Sequence, residues 1–329
     1  MKMIYKQHIT ELDRQTKGIK CISTETMDKH FGRIGCFEHL PKNLIQPKTK
    51  NRICHVFWSK PYKMDFTDAR WNISNQFELT LPLCALSLSM LKEMGQEVVL
   101  YTDSDGAELL KDLGYDRIYT IFDKLQTPSD FWACGKILAL QNEPLDSMLV
   151  DTDIFLYDGG LLDKAHETPV VGSHFENTAS YKEILKLGQQ FFDHLQGDLE
   201  VSINSGFLKV HDFYKKSKYI SAYWAGIKAF SNPLLLNEMK VKGHGAYCPD
   251  LLIEQLNFYK LCQPEPLIEL PQEPKDAQGF VHLLSFEKYL KIPMILDLLK
   301  DRYPRAYGSV IKKWEDLDFS VWLEDVKYQ

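Results

Sequence analysis

The chain has 329 residues, 44% hydrophobic and 26% charged, with a formal net charge of -6. That balance describes a folded protein long enough for one large domain or two ordinary ones, and argues against nucleic acid as the main partner. No apolar run approaches the roughly 20 residues of a transmembrane segment, and Met1 to Lys6 lead into polar residues, not a signal-peptide core. Seven scattered cysteines without a Cys-x-x-Cys pair point to reduced thiols and a cytoplasmic location.

Residues 1–50 are polar and irregular and close on Pro47-Lys48-Thr49-Lys50, as expected of an N-terminal arm or lid. The β-branched and aromatic run Ile53 to Trp58, bounded by Asn51-Arg52 and Ser59-Lys60-Pro61, predicts the first core strand. Leu83, Leu86, Met90 and Leu91 recur at helical spacing, the helix stops near Gly95, and Val98 to Tyr101 form the next strand. The unit repeats with a helix from Ala107 to Leu113 ended by Gly114, a strand Arg117 to Phe122, a helix Asp130 to Gln141 and a strand Met148 to Val150. This alternation predicts an α/β fold: a Rossmann-type, mostly parallel sheet flanked by helices, binding ligands outside the carboxyl ends of its strands. Beyond Asp158-Gly159-Gly160 the pattern loosens, with a helix from about Tyr181, a strand Ile203 to Val210, a helix from Pro249, and a helical C-terminal region after Phe286.

Asp151 and Asp153 follow directly on Met148-Leu149-Val150, where a buried strand leaves the sheet at its ligand edge. Residues two apart on a strand share a face, so both carboxylates are expected in one crevice, where like charges call for a cation. Mg²⁺ or Mn²⁺ suits them, since both ions take few protein carboxylates and fill their shells with phosphate oxygens. The plain alternative is an Asp151 that caps the next turn and a solvated Asp153. Trp58, Tyr62 and Trp71 offer surfaces for a base or sugar, or core packing.

Several segments stand in the order seen in glycosyltransferases of the GT-A fold, and the chain resembles the branch that contains glycogenin and bacterial lipopolysaccharide galactosyltransferases. Val98 to Asp103 is similar to the family's second strand and its acidic residue near the nucleotide base. Phe131-Trp132-Ala133-Cys134-Gly135-Lys136 resembles the helix that brings a lysine to phosphate or to the D-x-D motif Asp151-Thr152-Asp153. Asn204-Ser205-Gly206 resembles the segment lining the donor sugar pocket, with Gly206 allowing close backbone approach. His282 and Lys288 resemble a late His-x-x-Gly-x-x-Lys, whose histidine completes the metal shell and whose lysine meets the diphosphate. Ser285 stands where that motif has glycine, and the proline that usually follows the lysine is absent. Pro249-Asp250 opens the helix carrying Glu254 and Gln255, at the family's acidic segment facing sugar or acceptor, with Asp250 the preferred residue. An N-cap role for Asp250 is the alternative.

The resemblance implies a GT-A-like catalytic domain over 51–290, with 291–329 a helical extension packed on it. It implies a hexosyltransferase-like enzyme that moves sugar from a nucleotide diphosphate sugar, UDP-linked by expectation, to a glycan, lipid-linked or protein acceptor, retaining the anomeric configuration. Asp151, Asp153 and His282 would hold Mn²⁺ or Mg²⁺. Lys136, Asp103, Ser205, Gly206 and Lys288 would bind the donor, and Asp250 and Asn204 would serve catalysis. Two rival readings are a haloacid dehalogenase-type phosphatase and a silent nucleotide- or carbohydrate-binding protein. The phosphatase family has Thr or Val where Phe155 stands and places its motif near the start of the chain.

Overall fold

The computed structural model describes residues 33–37, 40–63, 75–128, 131–178, 185–186, 188–197, 200–232, 249–270, 277–284 and 287–315. In chain order these form β1 (Arg33–Ile34), β2 (Arg52–Phe57), α1 (Leu81–Glu93), β3 (Glu97–Thr102), α2 (Ser104–Leu110), β4 (Arg117–Tyr119), α3 (Cys134–Asn142), β5 (Met148–Val150) and β6 (Ile154–Leu156). There follow α4 (Gly159–Glu167), β7 (Val170–Gly172), β8 (Phe175–Asn177), β9 (Val201–Ile203), β10 (Phe207–Val210) and α5 (Phe213–Phe230). A helical run, α6, joins Pro249–Leu251 and Asn257–Cys262 through a π-helical turn at Leu252–Leu256. It leads to β11 (Glu265–Pro266), β12 (Phe280–Leu283), α7 (Glu287–Leu290), α8 (Ile292–Arg302) and α9 (Pro304–Trp314).

Seven strands make the central sheet, in the order β11-β7-β10-β5-β2-β3-β4. β5, β2, β3 and β4 run parallel, β10 runs antiparallel between β5 and β7, and β11 is parallel to β7. The sheet is thus mostly parallel. Its inner strands are buried on both sides, and alternate residues feed different cores because strand side chains point alternately up and down. Ile53, Val98, Leu100, Met148 and Val150 meet α1 and the C-terminal helices, whereas Cys54, Val99, Tyr101 and Leu149 meet α3, α5 and α6. Helices on both faces are what two-sided burial demands.

α1 ends where sequence periodicity placed it, before Gly95 at φ 72°, and the 3-10 turn after α2 ends at Gly114 at φ 94°. Two expected strands differ from the expectation. The one from Arg117 stops at Tyr119, because Phe122 turns inward within the 3-10 turn Ile121–Lys124 and packs on Gly135. The one expected over Ile203 to Val210 is two strands, β9 and β10, paired in different sheets and broken at Asn204-Ser205-Gly206, where Asn204 Oδ1 accepts from Gly206 N at 2.8 Å. The start of the helix expected near Tyr181 lies outside the described residues.

Two small antiparallel sheets flank the large one, β8-β9 and β1-β12-β6. The second matters for the site. The chain leaves the central sheet at Val150 and enters this small sheet at Ile154, so Asp151-Thr152-Asp153 spans the gap between them. Described parts of 1–50 are tied into the body: Ile34 pairs with His282, and Ile45 bridges to Asp158. α8 and α9 lie on α1, where Arg302 pairs with Glu93, and Trp314 Nε1 donates to Glu78 O in the short helix Gln76–Leu79 just before α1. Among the described residues no helix is long and apolar enough to cross a membrane.

Candidate metal and donor site

Asp151 and Asp153 come together through a turn and not, as expected, through the pleat of a strand. Ile154 N donates to Asp151 O at 3.1 Å, closing the turn, while Asp151 N donates to Gly206 O at 2.7 Å and Leu283 N to Asp153 O at 3.0 Å. Each aspartate is therefore anchored by its own backbone to a different strand. His282 sits opposite Ile154 in the β12-β6 ladder, which brings its ring beside the turn. One ligand atom from each of Asp151, Asp153 and His282 falls within 4.8 Å of the others.

The turn is buttressed from below by a polar relay. Ser87 Oγ donates to Ile154 O at 2.6 Å, so its single hydrogen is committed and it accepts from His55 Nε2 at 3.3 Å. His55 Nδ1 then accepts from the Tyr115 hydroxyl at 3.0 Å. Burial holds the His55 ring neutral, pulling its pKa down to about 3.

Two lysines serve the two carboxylates. Lys136 on α3 reaches Asp151 at 3.0 Å, Glu254 Oε1 at 3.0 Å and Ser205 O at 3.1 Å. Burial works against its charge, but the Asp151 and Glu254 carboxylates outweigh that and raise its pKa. Lys288 on α7 lies 2.6 Å from Asp153 Oδ2. Asp151 has its pKa raised, first by burial, against the Lys136 ammonium and with Asp153 and Glu254 adding to the rise. One third of its side chain remains open to solvent, so the carboxylate faces the crevice. Burial drives the His282 pKa down to about 3, leaving a neutral ring with a lone pair to offer.

Two carboxylates and one neutral imidazole are a donor set suited to a divalent cation of the Mn²⁺ or Mg²⁺ kind. The buried Nδ1 of His282 has no hydrogen-bond partner among the described residues. Nε2 lies 3.7 Å from Asp153 Oδ1. The residues fit such an ion.

The Asn204-Ser205-Gly206 break borders the same crevice. A Cβ on Gly206 would stand 2.7 Å from His282 Cε1, so this position needs glycine for close approach to the ring. Ser205 Oγ donates to Glu254 Oε1 at 2.7 Å. Asn204 uses both ends of its amide, Nδ2 to Glu176 at 2.7 Å and Oδ1 from Gly206 N, and so shapes the break.

Asp250 and Asp103 have partners of their own. Asp250 is fully buried, accepting from Ala133 N at 2.6 Å and from the Tyr223 hydroxyl at 2.5 Å, which ties α6 to the start of α3. The acidic residue of α6 at the site is instead Glu254, one wide π turn along, and the charge four residues after Asp250 was its only sequence signal. Asp103 caps α2 through Gly106 N at 2.9 Å and takes both the N–H (3.0 Å) and hydroxyl (2.7 Å) of Ser59, joining the ends of β2 and β3. Trp58 is buried in the core, Tyr62 packs on Phe57, and Trp71 and Ser285 lie outside the described residues.

Residues 51–299 match the profile of a family described as "Family of unknown function (DUF6734)". No curated protein gives a significant match. Among solved structures, the chain overlaps the glycosyltransferase GlyE of Streptococcus pneumoniae TIGR4 with a TM-score of 0.34 and 13% identity over 67% of this chain and 46% of that one. The chain thus covers less than half the length of GlyE. Mouse xyloside xylosyltransferase 1, in its apo form, overlaps with a TM-score of 0.31 and 11% identity over 64% of this chain and 83% of that one.

Proposed function

The chain belongs to DUF6734, a family of unknown function, and within it we propose a metal-dependent glycosyltransferase of the GT-A type, moving sugar from a nucleotide diphosphate sugar to an acceptor hydroxyl. The observation that carries this reading is the convergence of Asp151, Asp153 and His282 at the carboxyl end of a parallel strand, with Lys136 and Lys288 beside them. Ligands bind at that edge of an open α/β sheet.

In this reading Asp151, Asp153 and His282 hold the cation, which would neutralise charge developing on the leaving diphosphate. Lys288 turns from Asp153 to the diphosphate when the donor enters, and Lys136 keeps Asp151 and Glu254 in place. Ser205 and Gly206 line the donor sugar pocket, Asn204 holds their turn, and Asp103 with Ser59 frames the base. Glu254 replaces Asp250 as the acidic group nearest the transferred sugar, and the anomeric configuration is retained.

A thermal-shift screen of nucleoside diphosphates with and without Mn²⁺ tests the proposal, because a ligand bound only by the folded form raises apparent stability. UDP should raise the melting temperature only when Mn²⁺ is present. Equal shifts without metal would overturn the metal role. The silent-binder reading draws on the direct Lys288 to Asp153 contact, and it would be favoured by UDP binding without sugar release on long incubation.

A further inference from the structure

His174, outside every motif read from the sequence, lies against His282. It follows β7, and its backbone is fixed to the Asn204 turn, with Asn204 N donating to His174 O at 2.8 Å and Ser173 N to Asn204 O at 2.8 Å. Its side chain is 1% exposed, and the two imidazole rings lie 5.8 Å apart, tilted by 60°. His174 Nδ1 is 3.3 Å from Phe175 O. A carbonyl only accepts, so that nitrogen carries the hydrogen and Nε2 keeps a lone pair. That Nε2 is buried and has no hydrogen-bond partner among the described residues, and the same holds for His282 Nδ1.

The two nitrogens complement each other. An imidazole that gives its Nε2 lone pair to a metal must carry its hydrogen on Nδ1, and a buried N–H without an acceptor is destabilising. Histidines that ligate metals regularly donate the other N–H to a fixed acceptor, which sets both tautomer and orientation. The ring beside His282 has its own hydrogen committed to Phe175 O. Gly206, by lacking a Cβ, leaves room for the His282 ring.

We infer that His174 is a positioning residue: the Nδ1 hydrogen of His282 goes to a bridging water that in turn donates to His174 Nε2, and this aims the His282 Nε2 lone pair at the space between Asp151 and Asp153. This rests on the reading of His282 as a metal ligand.

The test uses the full chain, free of metal, and assigns both tautomers from long-range ¹H–¹⁵N correlation spectra, followed by Mn²⁺ titration. The wild type should show hydrogen on Nδ1 of both rings. His174→Leu should lose that preference in His282 and weaken Mn²⁺ binding by about 10–100-fold, while His174→Gln, whose Oε1 can accept from the same water, should restore both. Mn²⁺ binding by a wild type whose His282 carries its hydrogen on Nε2 overturns the role of His174 alone. The Nδ1–H tautomer in a wild type that binds no Mn²⁺ overturns the metal reading alone. A folded His174→Leu variant with unchanged tautomer and Mn²⁺ affinity also overturns the inference.

Discussion

Lys288 Nζ lies 2.6 Å from Asp153 Oδ2, with only 8% and 12% of the two side chains exposed, so a metal-ligating carboxylate in the proposed site already has a cation from its own chain. Removing one partner of a buried pair costs about 3–5 kcal/mol, because the other charge stays behind. Lys288→Met should therefore lower the melting temperature. It should also make added Mn²⁺ more stabilising than in the wild type, since the ion then meets a carboxylate freed from its competitor. Thermal melts with and without Mn²⁺ check both effects, and an identical Mn²⁺ shift in the two proteins would contradict the shared-carboxylate account.

Gly206→Ala places a methyl group 2.7 Å from His282 Cε1 and 2.9 Å from Ile154 Cδ1. Neither neighbour is the loose end of a long chain, and overpacking of this kind costs about 1–3 kcal/mol. The variant should unfold at lower urea concentration and bind Mn²⁺ more weakly than the wild type, because the ring is pushed off its place. Unchanged Mn²⁺ affinity in a destabilised variant would separate packing from ligation.

Acid sensitivity should come in part from His55. Its folded pKa, about 3, lies below the 6.5 of a solvated histidine, so the unfolded chain takes up the proton first. The stability it contributes is present in full above about pH 6.5 and is lost as pH falls from there toward 3. By pH 5 the loss attributable to this one ring is about 2 kcal/mol. His55→Gln, though less stable at neutral pH, should show a shallower fall of unfolding free energy between pH 6.5 and 5 in urea titrations. A parallel fall would place the proton uptake elsewhere.

The sheet was legible because its inner strands are short apolar runs separated by helices with clear stops, and Val98 to Tyr101 or Met148 to Val150 leave little else to be. The second half was not. β6, β7 and β10 are three or four residues long and take their pairing from distant strands, so local periodicity carries no trace of it. The same limit governs the candidate site. Asp151 and Asp153 are visible because they adjoin a strand, but the turn that joins their carboxylates depends on Gly206 and Leu283. Asp250 and Glu254 are both acidic and sit on one helical run, and only the fold decides that one braces α3 while the other meets Lys136. His174 gave no signal, since its relation to His282 exists only across two sheets.

The most direct test of the transferase reading is release of UDP from UDP-sugars by the purified chain with Mn²⁺, wild type against Asp153→Ala. Wild-type turnover should fall by about 100-fold or more in the variant, matching several kcal/mol of lost leaving-group stabilisation. Equal turnover in both proteins would contradict it.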